Sequence, residues 1–151
     1  LTDETFAKSL GRLAQAMSGA RDDWWVIGSA AVALHGGEPG SIADIDVIVS
    51  RRDLDALYAR LPLSNSPDES KPMFRSELFG IWSEPAIAVE FMTGLDVRVG
   101  DEWYRIEPVT RTRVSHCGCE VFAPELDELV TILEIFGREK DLDRAASLRK
   151  N

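Results

Sequence analysis

The sequence predicts a single α/β domain with a helical C-terminal tail, and three observations predict it. The chain has 151 residues, the usual size of one domain and enough to bury one core. Short apolar runs rich in β-branched residues alternate with segments of 3/4 apolar spacing, the periods of strands and helices. The last two segments, from about residue 124 onward, carry only the helical period. No repeat or low-complexity tract divides the chain, so residues 1–151 read as one unit.

The elements follow in order. Phe6, Leu10, Leu13, Ala14 and Met17 stand at 3/4 spacing, which predicts an amphipathic helix over 3–18. "WWVIG" (24–28) reads as a short buried strand ending in glycine. "SAAVALHG" (29–36) reads as a short helix stopped by Gly36-Gly37. "ADIDVIVS" (43–50) is a strand, and Ser50 then caps a helix over 51–61 with Asp53 in a box-like arrangement. Residues 62–72, with three prolines and no periodicity, predict a polar, mobile loop. "SELFGIW" and "AIAVEFM" are strands, and "LDVRVGDEWYRIE" is a hairpin turning at Gly100-Asp101. "CEVFA" is a last strand. "PELDELVTILEIFG" is a helix with Pro at its start and Gly at its end, and "REKDLDRAASLRK" a final short helix.

Composition narrows the function. The formal net charge of −9 argues against a general nucleic-acid binder, which needs a positive surface to displace phosphate counterions. It is compatible with a nucleotide held through a divalent cation. No run approaches the roughly 18 apolar residues of a membrane span, and no signal peptide is visible, although the chain begins at Leu rather than Met. Cys117 and Cys119 in "SHCGCEV" are too few for a disulfide framework, and with His116 they do not match zinc-ligand spacing. A half-buried strand with reduced thiols, in a cytoplasmic protein, is the expectation.

Two carboxylates stand out. Asp44 and Asp46 sit two apart in a strand, so they share a face about 6.6 Å apart along the backbone. Ile45, Val47 and Val49 take the opposite, core-facing side. Like charges so placed need a cation or a solvated edge. Mg²⁺ or Mn²⁺ suits them, because such an ion takes one or two carboxylates and completes its shell with water and phosphate oxygens. Upstream, Gly28-Ser29 follows a buried strand and opens a helix. Free N–H groups, a close backbone approach at glycine and a serine hydroxyl there suit a phosphate. A wet edge strand without function is the competing reading of D-I-D.

Ile27-Gly28-Ser29, a gap, and Asp44-Ile45-Asp46-Val47 together resemble the DNA polymerase β-like nucleotidyltransferase superfamily. "AVALHG", "DIDVIV" and the closing "GREKDLDRAASL" are similar to its small bacterial branch, which includes minimal nucleotidyltransferases, AbiEii-type toxins and antibiotic adenylyltransferases. The resemblance is firm over residues 24–50. It implies a nucleotidyltransferase fold: a mixed, largely antiparallel sheet with helices on one face. It implies transfer of a nucleoside monophosphate from an NTP, with ATP expected, to a hydroxyl acceptor, releasing pyrophosphate. Gly28 and Ser29 would hold phosphate, and Asp44, Asp46 and a third carboxylate would hold metal. Glu90 is the candidate third group, where the family more often has Asp, and Asp96 is its rival. The helix after the sheet lacks the lysine that the branch often carries, so a phosphate contact there falls to Arg138 or Lys140. Arg51 and Arg52 read as either phosphate contacts or a solvated helix start. His35 reads as a helix-end cap. Trp24, Trp25, Trp82 and Trp103 read as core or core edge, any one of them a possible base stack. The acceptor (protein, RNA or small molecule) is not written in the sequence, and its pocket is expected to need loop 62–72, a homodimer or a partner protein. The alternative is a catalytically inactive relative serving as a nucleotide-binding or protein-interaction module, for example a toxin–antitoxin component.

Overall fold

A computed structural model describes residues 3–66 and 71–150. In chain order the helices are α1 (Asp3–Ala16), α2 (Gly28–Leu34), α3 (Arg51–Arg60), α4 (Leu126–Phe136) and α5 (Glu139–Arg149). The strands are β1 (Trp25–Ile27), β2 (Asp44–Ile48), β3 (Leu63–Ser64), β4 (Phe74–Arg75), β5 (Leu78–Trp82), β6 (Ala88–Thr93), β7 (Asp96–Val99), β8 (Glu102–Arg105), β9 (Thr112–His116) and β10 (Cys119–Ala123).

The principal sheet has the order β1-β2-β6-β5-β3. Only β2 and β6 run parallel; β1–β2, β6–β5 and β5–β3 are antiparallel. This is the mixed, largely antiparallel sheet that was expected. A hairpin of β9 and β10 and a small sheet β4-β7-β8 flank it. Ile45 and Val47 of β2 and Val89 and Phe91 of β6 alternate onto one face and are fully buried. Against them pack Leu10 and Leu13 of α1, Ala30 and Val32 of α2, Leu54 and Leu57 of α3, and Leu129 and Leu133 of α4. The 3/4 spacing of those helix positions is what turns them to the sheet.

The opposite face meets the C-terminal helical tail. Its far half is also covered: Ile48 and Met92 join Ile27, Leu95, Val97 and Ile106 in a second apolar cluster closed by Ile132 and Phe136 of α4. Helix α4 therefore presents two apolar stripes, one to each cluster. The near half of that face carries Asp44, Asp46 and Glu90.

Several local expectations change in detail. Ser50 caps α3, its Oγ accepting from Asp53 N at 3.2 Å, but the Asp53 carboxylate does not return to the cap. It is buried and accepts from Arg21 N and Asp22 N at 2.9 and 3.0 Å, tying the α1–β1 loop to α3. Pro124 lies ahead of the α4 cap residue Glu125 rather than in the first turn, and its carbonyl accepts from His35 Nε2 at 2.8 Å, so His35 is a structural tie at the end of α2. The segment predicted as a loop over 62–72 contributes β3 to the sheet edge. Its residues 67–70 lie outside the described ones.

Cys117 is not in a strand. It forms, with Gly118, the two-residue turn between β9 and β10, at φ +49° and +85° respectively. Positive φ at both central positions is the hairpin geometry that matches strand twist. Both thiols are free, Cys117 exposed and Cys119 half-buried.

Candidate active site

Strand β2 lies between β1 and β6, and the register sets the site. Asp46 stands level with Ile27 on one side and with Glu90 on the other, and Asp44 stands level with Ala88. Neighbouring strands lie about 4.8 Å apart, so Glu90 is the carboxylate next to Asp46 on the same face. Asp96, the rival, is buried elsewhere: Arg105 Nε reaches it at 2.7 Å and Arg75 Nε at 3.1 Å. Those guanidiniums hold its carboxyl below the usual range.

The three carboxylates occupy an unfavourable place unless a cation joins them. Burial, and then the neighbouring charge of Asp44, raises the Asp46 carboxyl to about 7. Burial and the charges of Asp46 and Asp44 likewise push Glu90 upward, and its carboxyl is hydrogen-bonded to Asp44. Asp46 also fixes Gly28. A Cβ at Gly28 would lie 3.2 Å from Asp46 Oδ2, and Gly28 holds φ +67°. Glycine at the end of β1 is thus required twice, by the backbone and by the carboxylate.

These groups line one cavity of about 770 Å³, together with Ser29 and Ser41. It is lined as well by the basic groups Lys71, Arg138, Lys140 and Arg144, and by Arg75, which pairs with Asp96. The first four come from two segments. Arg138, Lys140 and Arg144 belong to the start and first turns of α5, while Lys71 comes from the segment before β4. Asp141, almost fully buried, organises α5: it takes Arg138 Nε at 2.6 Å and Nη2 at 3.0 Å, with Arg144 Nη1 at 3.8 Å. Arg144 also donates to Pro39 O at 2.7 Å, fastening the loop that leads into β2. Arg138, burial, Arg144 and Lys71 pull the Lys140 ammonium below its ordinary range, as expected where cations crowd with too few anions. The remaining wall is apolar and aromatic, including Phe74, Leu78, Phe79 and Met92.

Gly28, Ser29, Asp44, Asp46 and Glu90 thus meet in one cavity, and so do Arg138 and Lys140. Arg51 and Arg52 do not line it; Arg52 pairs with Asp22. None of the four tryptophans lines it either. Trp24 and Trp82 are core, Trp25 Nε1 donates to Thr110 O, and Trp103 lies under Arg75. Sequence reasoning missed Lys71 and Arg144. Arg144 was findable, since it lies four residues after Lys140 and one helical turn places both on one face. Lys71 had no periodic signal.

A divalent ion is the group that the resemblance implies. The donor chemistry suits it: three carboxylates on one face, two of them raised by burial and by each other's charge, beside space for water and phosphate oxygens. Among the described residues no group of three or more His, Cys, Asp or Glu side chains is arranged to hold a metal ion.

No protein-family model and no curated protein matches the chain. Solved structures do. A candidate nucleotidyltransferase, TM1012 from Thermotoga maritima, is 22% identical with TM-score 0.66, covering 99% of this chain and 94% of that one. The antibiotic-resistance factor ANT(2'')-Ia is 11% identical with TM-score 0.62, over 99% of this chain and 85% of that one. An antigenic nucleotidyltransferase-like protein from Paracoccidioides brasiliensis is 15% identical with TM-score 0.58, over 98% and 77%. With the sheet order and the strand that carries Asp44 and Asp46 already described, these likenesses lead to one conclusion: the chain has the nucleotidyltransferase fold.

Proposed function

We propose that the protein transfers a nucleoside monophosphate from an NTP to a hydroxyl acceptor and releases pyrophosphate. The observation that carries this reading is one cavity lined both by Asp44, Asp46 and Glu90 and by Lys71, Arg138, Lys140 and Arg144. A metal–triphosphate is the ligand whose charges complement both. The triphosphate lies along the basic groups, with its β- and γ-phosphates toward Arg138, Lys140 and Ser29, and its α-phosphorus beside Asp44 and Asp46. The acceptor oxygen attacks that phosphorus, the bond to the pyrophosphate oxygen breaks, and the acceptor proton passes to Glu90. A raised carboxyl suits Glu90 for that task, since a general base works best near the ambient pH. Asp44, Asp46 and Glu90 would hold Mg²⁺ or Mn²⁺, which when bound offsets the charge of the phosphoryl oxygens. ATP is the expected nucleotide, and kinship with the small bacterial branch, AbiEii-type toxins included, is part of the same proposal.

The test is transfer of label. Purified protein is incubated with each α-labelled NTP and Mg²⁺ against protein, tRNA and small hydroxyl compounds, and pyrophosphate is assayed. Labelled acceptor and pyrophosphate in equal amounts are expected. Tight NTP binding with no pyrophosphate from any acceptor would favour a retired enzyme that binds nucleotide as a regulatory module.

A further inference from the structure

Lys71 belongs to the segment expected to be featureless, yet it lines the cavity with Asp44, Asp46 and Glu90. Lys71-Pro72-Met73-Phe74 is a turn closed by Phe74 N donating to Lys71 O at 3.2 Å. Proline at its second position presets the backbone there. The turn is anchored at three points. Met73 O accepts from Arg98 N of β7 at 2.8 Å, Phe74 pairs with Val97, and the Phe74 ring meets Phe136 edge-on with centroids 5.0 Å apart. The same ring lies under the Arg138 guanidinium, 5.0 Å from its centroid. One aromatic side chain therefore joins the turn that carries Lys71 to the α4–α5 junction that carries Arg138.

Lys71 lines the cavity together with both sets of charges. Its charge reaches Asp46 and Glu90 and also Lys140. It makes no ion pair with a described residue, although Asp44, Asp46, Glu77 and Glu90 line the same cavity. A lysine recruited only to neutralise those carboxylates would bond one of them. One set among carboxylates and cations is placed for a third group that bridges them.

We propose that Lys71 is a triphosphate-binding residue, reaching from the turn before β4 to the NTP between the carboxylates and the Arg138–Lys140 cluster. This rests on the nucleotidyl-transfer reading and names a further residue for it. A positive charge there opposes the charge that gathers on the pyrophosphate oxygen as its bond to the α-phosphorus breaks. Lys71 thus serves the leaving group as well as binding.

The test is calorimetry with Mg²⁺ and an α,β-methylene NTP analogue, with inorganic tripolyphosphate, and with the matching nucleoside monophosphate. It uses wild type, Lys71→Met, Lys71→Arg and, as a control for lost charge, Lys8→Met. Lys8 is exposed on α1, paired with Glu4. Lys71→Met is expected to weaken the analogue and tripolyphosphate about tenfold or more, the loss of one charge-assisted hydrogen bond. The monophosphate should be little affected, Lys71→Arg should restore most of the affinity, and Lys8→Met should match wild type. Circular-dichroism melting confirms that each variant is folded. Wild-type affinity for the analogue in folded Lys71→Met overturns the assignment, as does equal weakening in Lys8→Met. A wild-type protein that binds neither NTP analogue nor tripolyphosphate overturns the nucleotidyl-transfer reading itself, a failure visible before any substitution is compared.

Discussion

Gly28 and Asp46 touch, and each constrains the other. Gly28→Ala places a Cβ 3.2 Å from Asp46 Oδ2 and forces a non-glycine residue to φ +67°. The backbone alone costs about 1–2 kcal/mol, and the Asp46 carboxylate must give by a few tenths of an ångström. The expected outcome is a lower melting temperature together with loss of stabilisation by Mg²⁺–NTP, both read by differential scanning calorimetry. Asp46 also predicts a pH dependence. Its folded carboxyl titrates near 7, well above the ordinary aspartate value of 3.8. Between those values the folded state holds a proton that the unfolded state has released. Stability without metal therefore falls as pH rises from about 4 to about 7 and then levels, by at most about 1.4 kcal/mol per unit from this group. Urea unfolding in chelator at pH 5.5 and 8.5 should show that Asp46→Asn flattens this slope and is at least as stable as wild type at pH 8.5. A slope unchanged by the substitution would mean that Asp46 is not the strained group. Much of this was legible in the sequence. Parity puts Asp44 and Asp46 on one face, and glycine before a serine at a strand end announces a close approach. That Asp46, rather than Asp44, would press on Gly28 was not legible, because it depends on how β1 and β2 are registered.

At the scale of elements, the site depends on α5 being locked to the sheet. Asp141 accepts three bonds from Arg138, one from its backbone N and two from its guanidinium, while almost wholly buried, and Ser147 Oγ accepts from Glu38 N at 2.9 Å in the loop ahead of β2. Gly37 lies so close to α5 that a Cβ there would come 2.7 Å from Leu148 Cδ2. Asp141→Ala leaves Arg138 and Arg144 without their shared anion. It is expected to destabilise the fold by about 3 kcal/mol, as when one partner of a buried ion pair is removed, and to weaken NTP binding by freeing Arg138. Chemical denaturation and calorimetry measure the two effects. Unchanged stability would show that Asp141 does not hold the helix. The helices, the strand–GS–helix unit and the Gly100 hairpin were readable because each carries a period or a cap. The β9–β10 hairpin was not. Its turn uses Cys117 at positive φ where Asn or Asp would signal the geometry, and β9, "TRVSH", alternates only weakly between apolar and polar. Strand β3 was hidden for a similar reason: two residues between prolines carry no pattern, and pairing with β5 makes the strand.

For the whole molecule, the arrangement brings opposite charges from distant parts of the chain to one cavity. Carboxylates come from β2 and β6; cations come from α5 and from the turn before β4. The fold was legible through length, alternation and the motif over residues 24–50. The basic lining was legible only in part, since Arg138 and Lys140 could be named but their distance from β2 could not. Burying two apolar clusters on opposite faces of one sheet leaves this charged opening beside them, and the net charge of −9 makes occupation by an anion depend on those cations and on a divalent ion. Binding of NTP and metal should therefore be mutually dependent: each raises the affinity of the other by the same factor. Calorimetric titration of ATP into wild type with and without Mg²⁺, and into the Asp44→Asn, Asp46→Asn double variant under both conditions, measures that coupling directly. The expected result is tighter ATP binding with Mg²⁺ in wild type by about tenfold or more, and no Mg²⁺ effect in the folded double variant. An equal Mg²⁺ effect in both proteins, or none in either, would contradict a metal–nucleotide site built on these carboxylates.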